Sequence, residues 1–189
     1  MTTVIGGPAS AELAKKIAKR LDAKYIQAKL RVFPDGESKL TVEGTPHKGK
    51  IVVVQSTPPP VDTNMLHVFS LISKARKWSA QVIAAIPYLG YMRQDIEFLK
   101  RRNSHKPGGG KPVILLDDMI STGGSIVLAA KYLKKQNCGN LYAVCTHALL
   151  VDDAEKQIKR AGIKKIISTN TISGKTSLVD VSDVIAKSV

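Results

Sequence analysis

The stretch from Pro112 to Ser125, PVILLDDMISTGGS, limits what this chain can fold into more than any other. Val113 to Leu116 is an unbroken apolar run, which suits a strand buried on both faces of a parallel sheet. Asp117 and Asp118 follow at once, then Ser121, Thr122, Gly123, Gly124 and Ser125. Ile126 to Leu133 carries apolar residues at helical spacing. The order is therefore strand, acidic pair, turn of small residues, helix. That order predicts an open α/β sheet, in which ligands sit outside the carboxyl ends of the strands.

The chemistry of the turn is equally constrained. Glycine, serine and threonine let backbone N–H groups come close to an anion, and the helix N-terminus adds positive dipole and unpaired donors. The hydroxyls of Ser121, Thr122 and Ser125 can donate as well, so the turn reads as a phosphate cradle. The acidic pair would repel that phosphate. It suits vicinal sugar hydroxyls, or Mg²⁺ shared between carboxylate and phosphate oxygens. Ribose 5-phosphate offers both features in one molecule. The plainer alternative is an acidic helix cap beside an ordinary glycine turn.

Flanking segments continue the α/β alternation. Strands are expected at Thr3–Ile5, Ile51–Val54, Gln81–Ile86, Leu141–Thr146 and Lys165–Ser168. Between the first two, Leu13, Ile17 and Leu21 mark an amphipathic helix that Ser10 is placed to cap. Asp62 is placed to cap a second helix, on which His67 reads as structural. Asp152 or Asp153 would cap a third, and Asp180–Val189 closes the chain as a short helix. Pro34-Asp35-Gly36 signals a turn before the alternating run Ser38–Glu43, which predicts a hairpin standing off the sheet. Lys and Arg outnumber Asp and Glu by 29 to 15, a net charge of +14, which suits anionic partners. Aromatics make up only 5% and do not alternate with basic residues, which argues against nucleic acid. Cys138 and Cys145 are isolated and read as reduced thiols of a cytoplasmic protein. No segment is apolar for long enough to span a membrane, and no leader peptide is expected at Met1-Thr2-Thr3.

The Asp117–Ser125 string resembles the phosphoribosyl-diphosphate motif of type I phosphoribosyltransferases and of ribose-phosphate diphosphokinases. Two further strings separate these families. Phe33-Pro-Asp-Gly-Glu37 and the pattern VVVQST…IPYLGYMRQD resemble the diphosphokinases and count against a phosphoribosyltransferase. The resemblance implies a parallel-sheet, type I phosphoribosyltransferase-like doubly wound α/β fold with a protruding β-hairpin. It implies transfer of diphosphate from Mg-ATP to ribose 5-phosphate, with Mg²⁺ as cofactor, in a homo-oligomer. Phe33, Asp35 and Glu37 would contact ATP bound at a neighbouring subunit. Arg93 and Gln94 would also bind ATP. Lys100 and Arg102 would cover the transferring phosphates, and Asp117, Asp118, Ser121, Thr122, Gly123, Gly124 and Ser125 would bind the ribose phosphate.

The likeness breaks between Asp95 and Pro112. Family members are longer there, and the segment includes a metal-holding histidine and a second ribose loop. Neither has a match here; His105 lies in a polar run, and His147 is a catalytic candidate only by its place at a strand end. The metal ligand is left open, with Asp117 or Asp118 as a candidate. Residues 1–95 resemble the family's N-terminal domain and 112–189 its C-terminal one, with 96–111 as junction. One composite doubly wound domain is expected, and two incomplete lobes with open edges are the alternative. A shortened enzyme of impaired turnover is the first functional expectation, and a non-catalytic nucleotide- or sugar-phosphate-binding homologue the second.

Overall fold

The structure is a computed structural model that describes residues 1–47, 49–91 and 110–189. Arg93, Gln94, Lys100, Arg102 and His105 lie outside the described residues. The strands form two sheets where one composite sheet was expected, and the chain divides into two compact units.

The first unit holds Met1–Tyr91, Asn170–Ser173 and Asp180–Val189. Its elements are β1 (Thr2–Gly6), α1 (Ala11–Arg20), β2 (Lys24–Val32), β3 (Ser38–Val42), β4 (Lys50–Val54), α2 (Val61–Ala75) and β5 (Val82–Ala85). The sheet order is β3-β2-β1-β4-β5, parallel except where β3 meets β2. Ile51 to Val54 are all buried because both faces of the sheet are covered. On one face Val4, Val52 and Val54 pack against Leu13, Ala14 and Ile17 of α1. On the other Ile5, Ile51 and Val53 pack against Leu71 and Ala75 of α2. Each such side chain contributes about 1.5–3 kcal/mol on burial. The unit is thus doubly wound, and the expected hairpin grows out of it. Lys24–Gln27 of β2 pair with β1, whereas, among the described residues, Ala28–Val32 pair only with β3 beyond the end of β1.

The described part of the second unit runs over residues 110–169 and Gly174–Val179. It contains β6 (Val113–Ile120), α3 (Gly124–Lys135), β7 (Leu141–Ala148), α4 (Ala154–Arg160), β8 (Ile163–Thr169) and β9 (Ser177–Val179). The sheet is parallel, in the order β6-β7-β8-β9. Ala143, Cys145 and Ile166 pack against Ile126, Ala130 and Leu133 of α3 and Ile158 of α4. Two expectations for β6 need correction. It continues through Asp117 and Asp118, because parallel pairing with β7 runs on to Ile120 and Ala148. It is also not buried on both faces: Ile114 is 65% exposed and Leu116 80%. Among the described residues β6 is an edge strand, and only alternate side chains reach the helices.

The last helix, α5 (Ser182–Ser188), returns to the first unit and packs beside α1. The expected caps are used otherwise. Ser10 precedes α1 without capping it; its hydroxyl accepts the Ser56 N–H at 2.8 Å. Asp62 falls inside the first turn of α2 and accepts the Tyr91 hydroxyl. Asp153 stands at the N-cap of α4 with no capping bond and pairs with Lys156 at 2.9 Å.

Candidate functional site

At the carboxyl end of β6 the backbone must leave the sheet and enter α3 within three residues. Two N–H groups, of Leu149 and Leu150, bond the Ile120 carbonyl at 3.0 and 3.1 Å and fix the point of departure. Gly123 then turns with φ +78°, in the left-handed region. A Cβ there would meet Ile158 Cδ1 at 2.7 Å, so both the dihedral and the space call for glycine. Gly123 is also the N-cap of α3, and no side chain caps the helix. The first N–H groups of α3 are therefore left facing outward, as an anion site needs.

The result is a cavity of about 510 Å³ lined by Asp117–Ile126 without interruption. All seven sequence-predicted ribose-phosphate residues line it: Asp117, Asp118, Ser121, Thr122, Gly123, Gly124 and Ser125. Asp117 is half-buried beside Cys145, and its carboxylate accepts the Asp118 N–H at 3.0 Å. Burial pushes the Asp117 carboxyl up, and the Asp118 side chain pushes it the same way, outweighing the Asp118 N–H that pulls it down. A divalent cation beside the pair relieves the repulsion that raises the Asp117 carboxyl. Mg²⁺ takes one or two protein carboxylates and completes its shell with water and phosphate oxygens, so this donor set fits it. Among the described residues no group of three or more His, Cys, Asp or Glu side chains forms a larger metal centre. His147, whose register partner is Met119, lies within the field of Asp118. Burial pushes its imidazolium pKa down, and the Asp118 charge pulls against that. Burial also raises the Cys145 thiol to about 11, which makes it a packing residue rather than a nucleophile.

The first unit carries the other predicted cluster at the hairpin tip. The Phe33 N–H bonds the Glu37 carbonyl at 2.8 Å, and the Gly36 N–H bonds the Phe33 carbonyl at 3.0 Å. Asp35 accepts the Glu37 N–H at 3.0 Å, so one carboxylate oxygen holds the turn itself. The sequence reading missed Arg31. Its guanidinium lies 4.8 Å from the centroid of the Phe33 ring and covers one face. The signal was present: residues two apart on a strand share a face. Phe33 is only partly exposed, while Asp35 and Glu37 are open to solvent.

Residues 2–106 match the N-terminal domain of ribose phosphate pyrophosphokinase, and residues 106–189 match the phosphoribosyl synthetase-associated domain. A ribose-phosphate pyrophosphokinase from Methanopyrus kandleri is 26% identical over 277 aligned positions, spanning 94% of this chain and 95% of the relative. One from Sulfolobus acidocaldarius is 24% identical over 289 positions, spanning 98% and 99%. These alignments are longer than the chain's own 189 residues, so both relatives carry residues without a counterpart here. The phosphoribosylpyrophosphate synthetase from Mycobacterium smegmatis superposes with a TM-score of 0.78 over 99% of this chain and 97% of its own, at 18% identity. That likeness is one of fold. No helix among the described residues is long and apolar enough to cross a membrane.

Proposed function

The chain belongs to the ribose-phosphate pyrophosphokinase family, and from that premise we propose that the Asp117–Ser125 cavity binds ribose 5-phosphate and that ATP is the second substrate. The observation that carries this reading is the cavity lined without interruption from the acidic pair to the first turn of α3. The 5-phosphate lies on the N-terminus of α3 and the hydroxyls of Ser121, Thr122 and Ser125. The ribose hydroxyls face Asp117 and Asp118. Mg²⁺, held by one of these carboxylates, would neutralise charge on the diphosphate when bound. The reaction moves the β,γ-diphosphoryl group of ATP to the anomeric hydroxyl. The hydroxyl oxygen bonds to the β-phosphorus, the bond to the α–β bridging oxygen breaks, the hydroxyl proton is lost, and AMP leaves. Such transfer is mainly positioning and charge neutralisation. Arg93 and Gln94 hold ATP, and Lys100 and Arg102 cover the moving phosphates.

Phe33, Asp35 and Glu37 receive the adenine of ATP bound to a second copy of this chain in the cytoplasm. Arg31 backs one face of the Phe33 ring, and the opposite face stacks on the base. Self-association is therefore part of the proposal, and sedimentation across a wide concentration range tests it. A species monomeric at every concentration removes the adenine role of Phe33.

Turnover is expected to be slow. The aligned relatives carry residues absent here, and neither the family's metal-holding histidine nor its second ribose loop has a match. Losing one group that stabilises developing charge typically costs about 10²–10³ in rate. The assay is AMP formation that depends on ribose 5-phosphate, with Lys100→Ala as control. A rate equal to that of a full-length relative, and sensitive to Lys100, would overturn the expectation of impairment. Binding of ribose 5-phosphate with no turnover at all would favour the second reading, a non-catalytic sugar-phosphate-binding homologue.

A further inference from the structure

His67 lies on α2 and is only 4% exposed. Its Nε2 is 3.1 Å from the hydroxyl of Ser38, and among the described residues its Nδ1 has no hydrogen-bond partner. Burial pushes the imidazolium pKa down, so the ring is neutral. Of the two neutral tautomers, one would bury an orphaned N–H at Nδ1. The other places the hydrogen on Nε2 and donates it to Ser38 Oγ, leaving only an unused acceptor. The second is the cheaper arrangement. The ring is thus a donor committed to a single side chain.

Ser38 is no ordinary strand residue. It opens β3 and pairs with Val32, and this is the last rung of the ladder before the Phe33–Glu37 turn. Beyond Gln27 the hairpin has left β1, so among the described residues β2 is paired there only with its own return strand. A two-stranded ribbon of this kind twists and frays easily in water. Leu40 is buried against the core that contains Leu71 and anchors the ribbon two residues further down. His67 adds a directional tie at the final rung, next to the side chains that define the turn.

We propose that His67 is a positioning residue that, through Ser38, fixes the Phe33–Glu37 turn for adenine. This rests on the adenine role proposed above for Phe33, Asp35 and Glu37. It explains why a polar ring occupies a place where an apolar side chain would bury more cheaply. It also predicts that the tie controls ATP binding without touching ATP.

The experiment uses the full chain and three variants: Ser38→Ala, His67→Phe and His67→Gln. Gln can place an N–H near the position of Nε2, whereas Phe keeps the volume and loses the donor. Two readouts are needed: amide hydrogen exchange at Phe33 and Gly36, and titration with Mg-ATP and with ribose 5-phosphate. Ser38→Ala and His67→Phe should each speed exchange at both amides and weaken ATP binding by about three- to tenfold. The double variant should lose no more than either single one, because both remove the same bond. His67→Gln should restore most of the effect, and ribose 5-phosphate affinity should not move. Unchanged exchange at the turn in Ser38→Ala would overturn the proposal, and this variant alters an exposed residue, so it folds even if His67→Phe does not. Additive losses in the double variant would overturn it too, showing that His67 acts by core packing alone. Faster exchange in the variants of a chain that takes no ATP would sustain the tie and overturn only the adenine role.

Discussion

Each unit sends a strand into a pair of glycines and then a helix, yet the two strand ends are built for opposite purposes. In the first unit β1 ends at Gly6-Gly7, between β2 and β4, where the strand order reverses direction. That is the place where open α/β sheets take ligands. Here it is filled by protein. Gln55 is 0% exposed, accepts the Ala9 N–H at 3.2 Å, and donates to the Ser56 carbonyl at 3.0 Å and Asn64 Oδ1 at 3.1 Å. Ser56 donates to the Thr171 carbonyl at 2.7 Å. A Cβ on Gly7 would lie 2.0 Å from Gln55 Oε1. In the second unit β6 ends in Asp117 and Asp118, and the space before α3 is a cavity of about 510 Å³. Polar groups in the first strand end are spent on one another. Those in the second face an opening, where Asp118 opposes the ionisation of Asp117. A glycine-rich strand end therefore says little by itself. What matters is whether a neighbouring side chain closes it.

The sharpest way to break this comparison is to remove the acids. Asp117→Asn combined with Asp118→Asn should abolish the rise in melting temperature that ribose 5-phosphate produces in Mg²⁺. Loss of the metal ligand and of the hydroxyl acceptors together predicts at least a hundredfold fall in affinity, on the order of 3 kcal/mol. The fold should survive, because neither side chain belongs to the apolar core. An unchanged thermal shift would mean that the cavity is not the sugar-phosphate site.

Matched glycine substitutions sharpen it. Gly7→Ala must expel Gln55 from its hydrogen bonds and should cost about 2–3 kcal/mol of stability, with ribose 5-phosphate affinity unchanged. Gly123→Ala puts a Cβ at φ +78° and against the tip of Ile158. The strain is about 1–2 kcal/mol, and it falls on the cradle, so sugar-phosphate affinity should drop as well. Thermal melts alone would look alike. The titration separates them, and equal affinities in the two variants would mean that the openings do not differ in function.

Much of the fold and site could be read from residue patterns, and the misses share a cause. Apolar runs such as Ile51–Val54 and the helical spacing of Leu13 and Ile17 are local signals of local structure. The Asp117–Ser125 turn was legible for the same reason: its chemistry is contiguous in the chain. β9 and all of β2 before Arg31 were missed, and β6 runs past its apolar start because backbone pairing with β7 overrides the character of two aspartates. Which strands share a sheet is a matter of long-range pairing, and no periodicity encodes it. Nor does anything near Ser182 announce that its hydroxyl accepts the Arg20 Nε–H, 162 residues away in sequence, at 2.7 Å. Arg31 escaped because it became interesting only once Phe33 was placed on the same face.

The C-terminal return provides the last and smallest test, because it ties the closed unit together by charge as well as by packing. Asp180 accepts from the Ser182 N–H and the Asn170 side chain, both at 2.9 Å, and pairs with Lys16 at 3.2 Å. Burial pushes its carboxyl up, but the hydrogen bonds from Ser182, Asn170 and Lys16 outweigh this and hold it well below the usual carboxylate range. In the unfolded chain Asp180 titrates near about 3.9. A carboxyl depressed on folding stabilises the folded state fully above its unfolded pKa, and the stabilisation disappears as pH falls through the folded one. The first unit should therefore lose stability progressively below about pH 4. Asp180→Asn should lower the melting temperature by a few degrees at pH 7, and the gap to the unmodified chain should close in acid. The carboxylate is partly exposed, so salt should narrow the gap at neutral pH. Melts from pH 2.5 to 7 of both chains decide it: a gap that stays constant across that range would mean that Asp180 holds α5 by shape and not by charge.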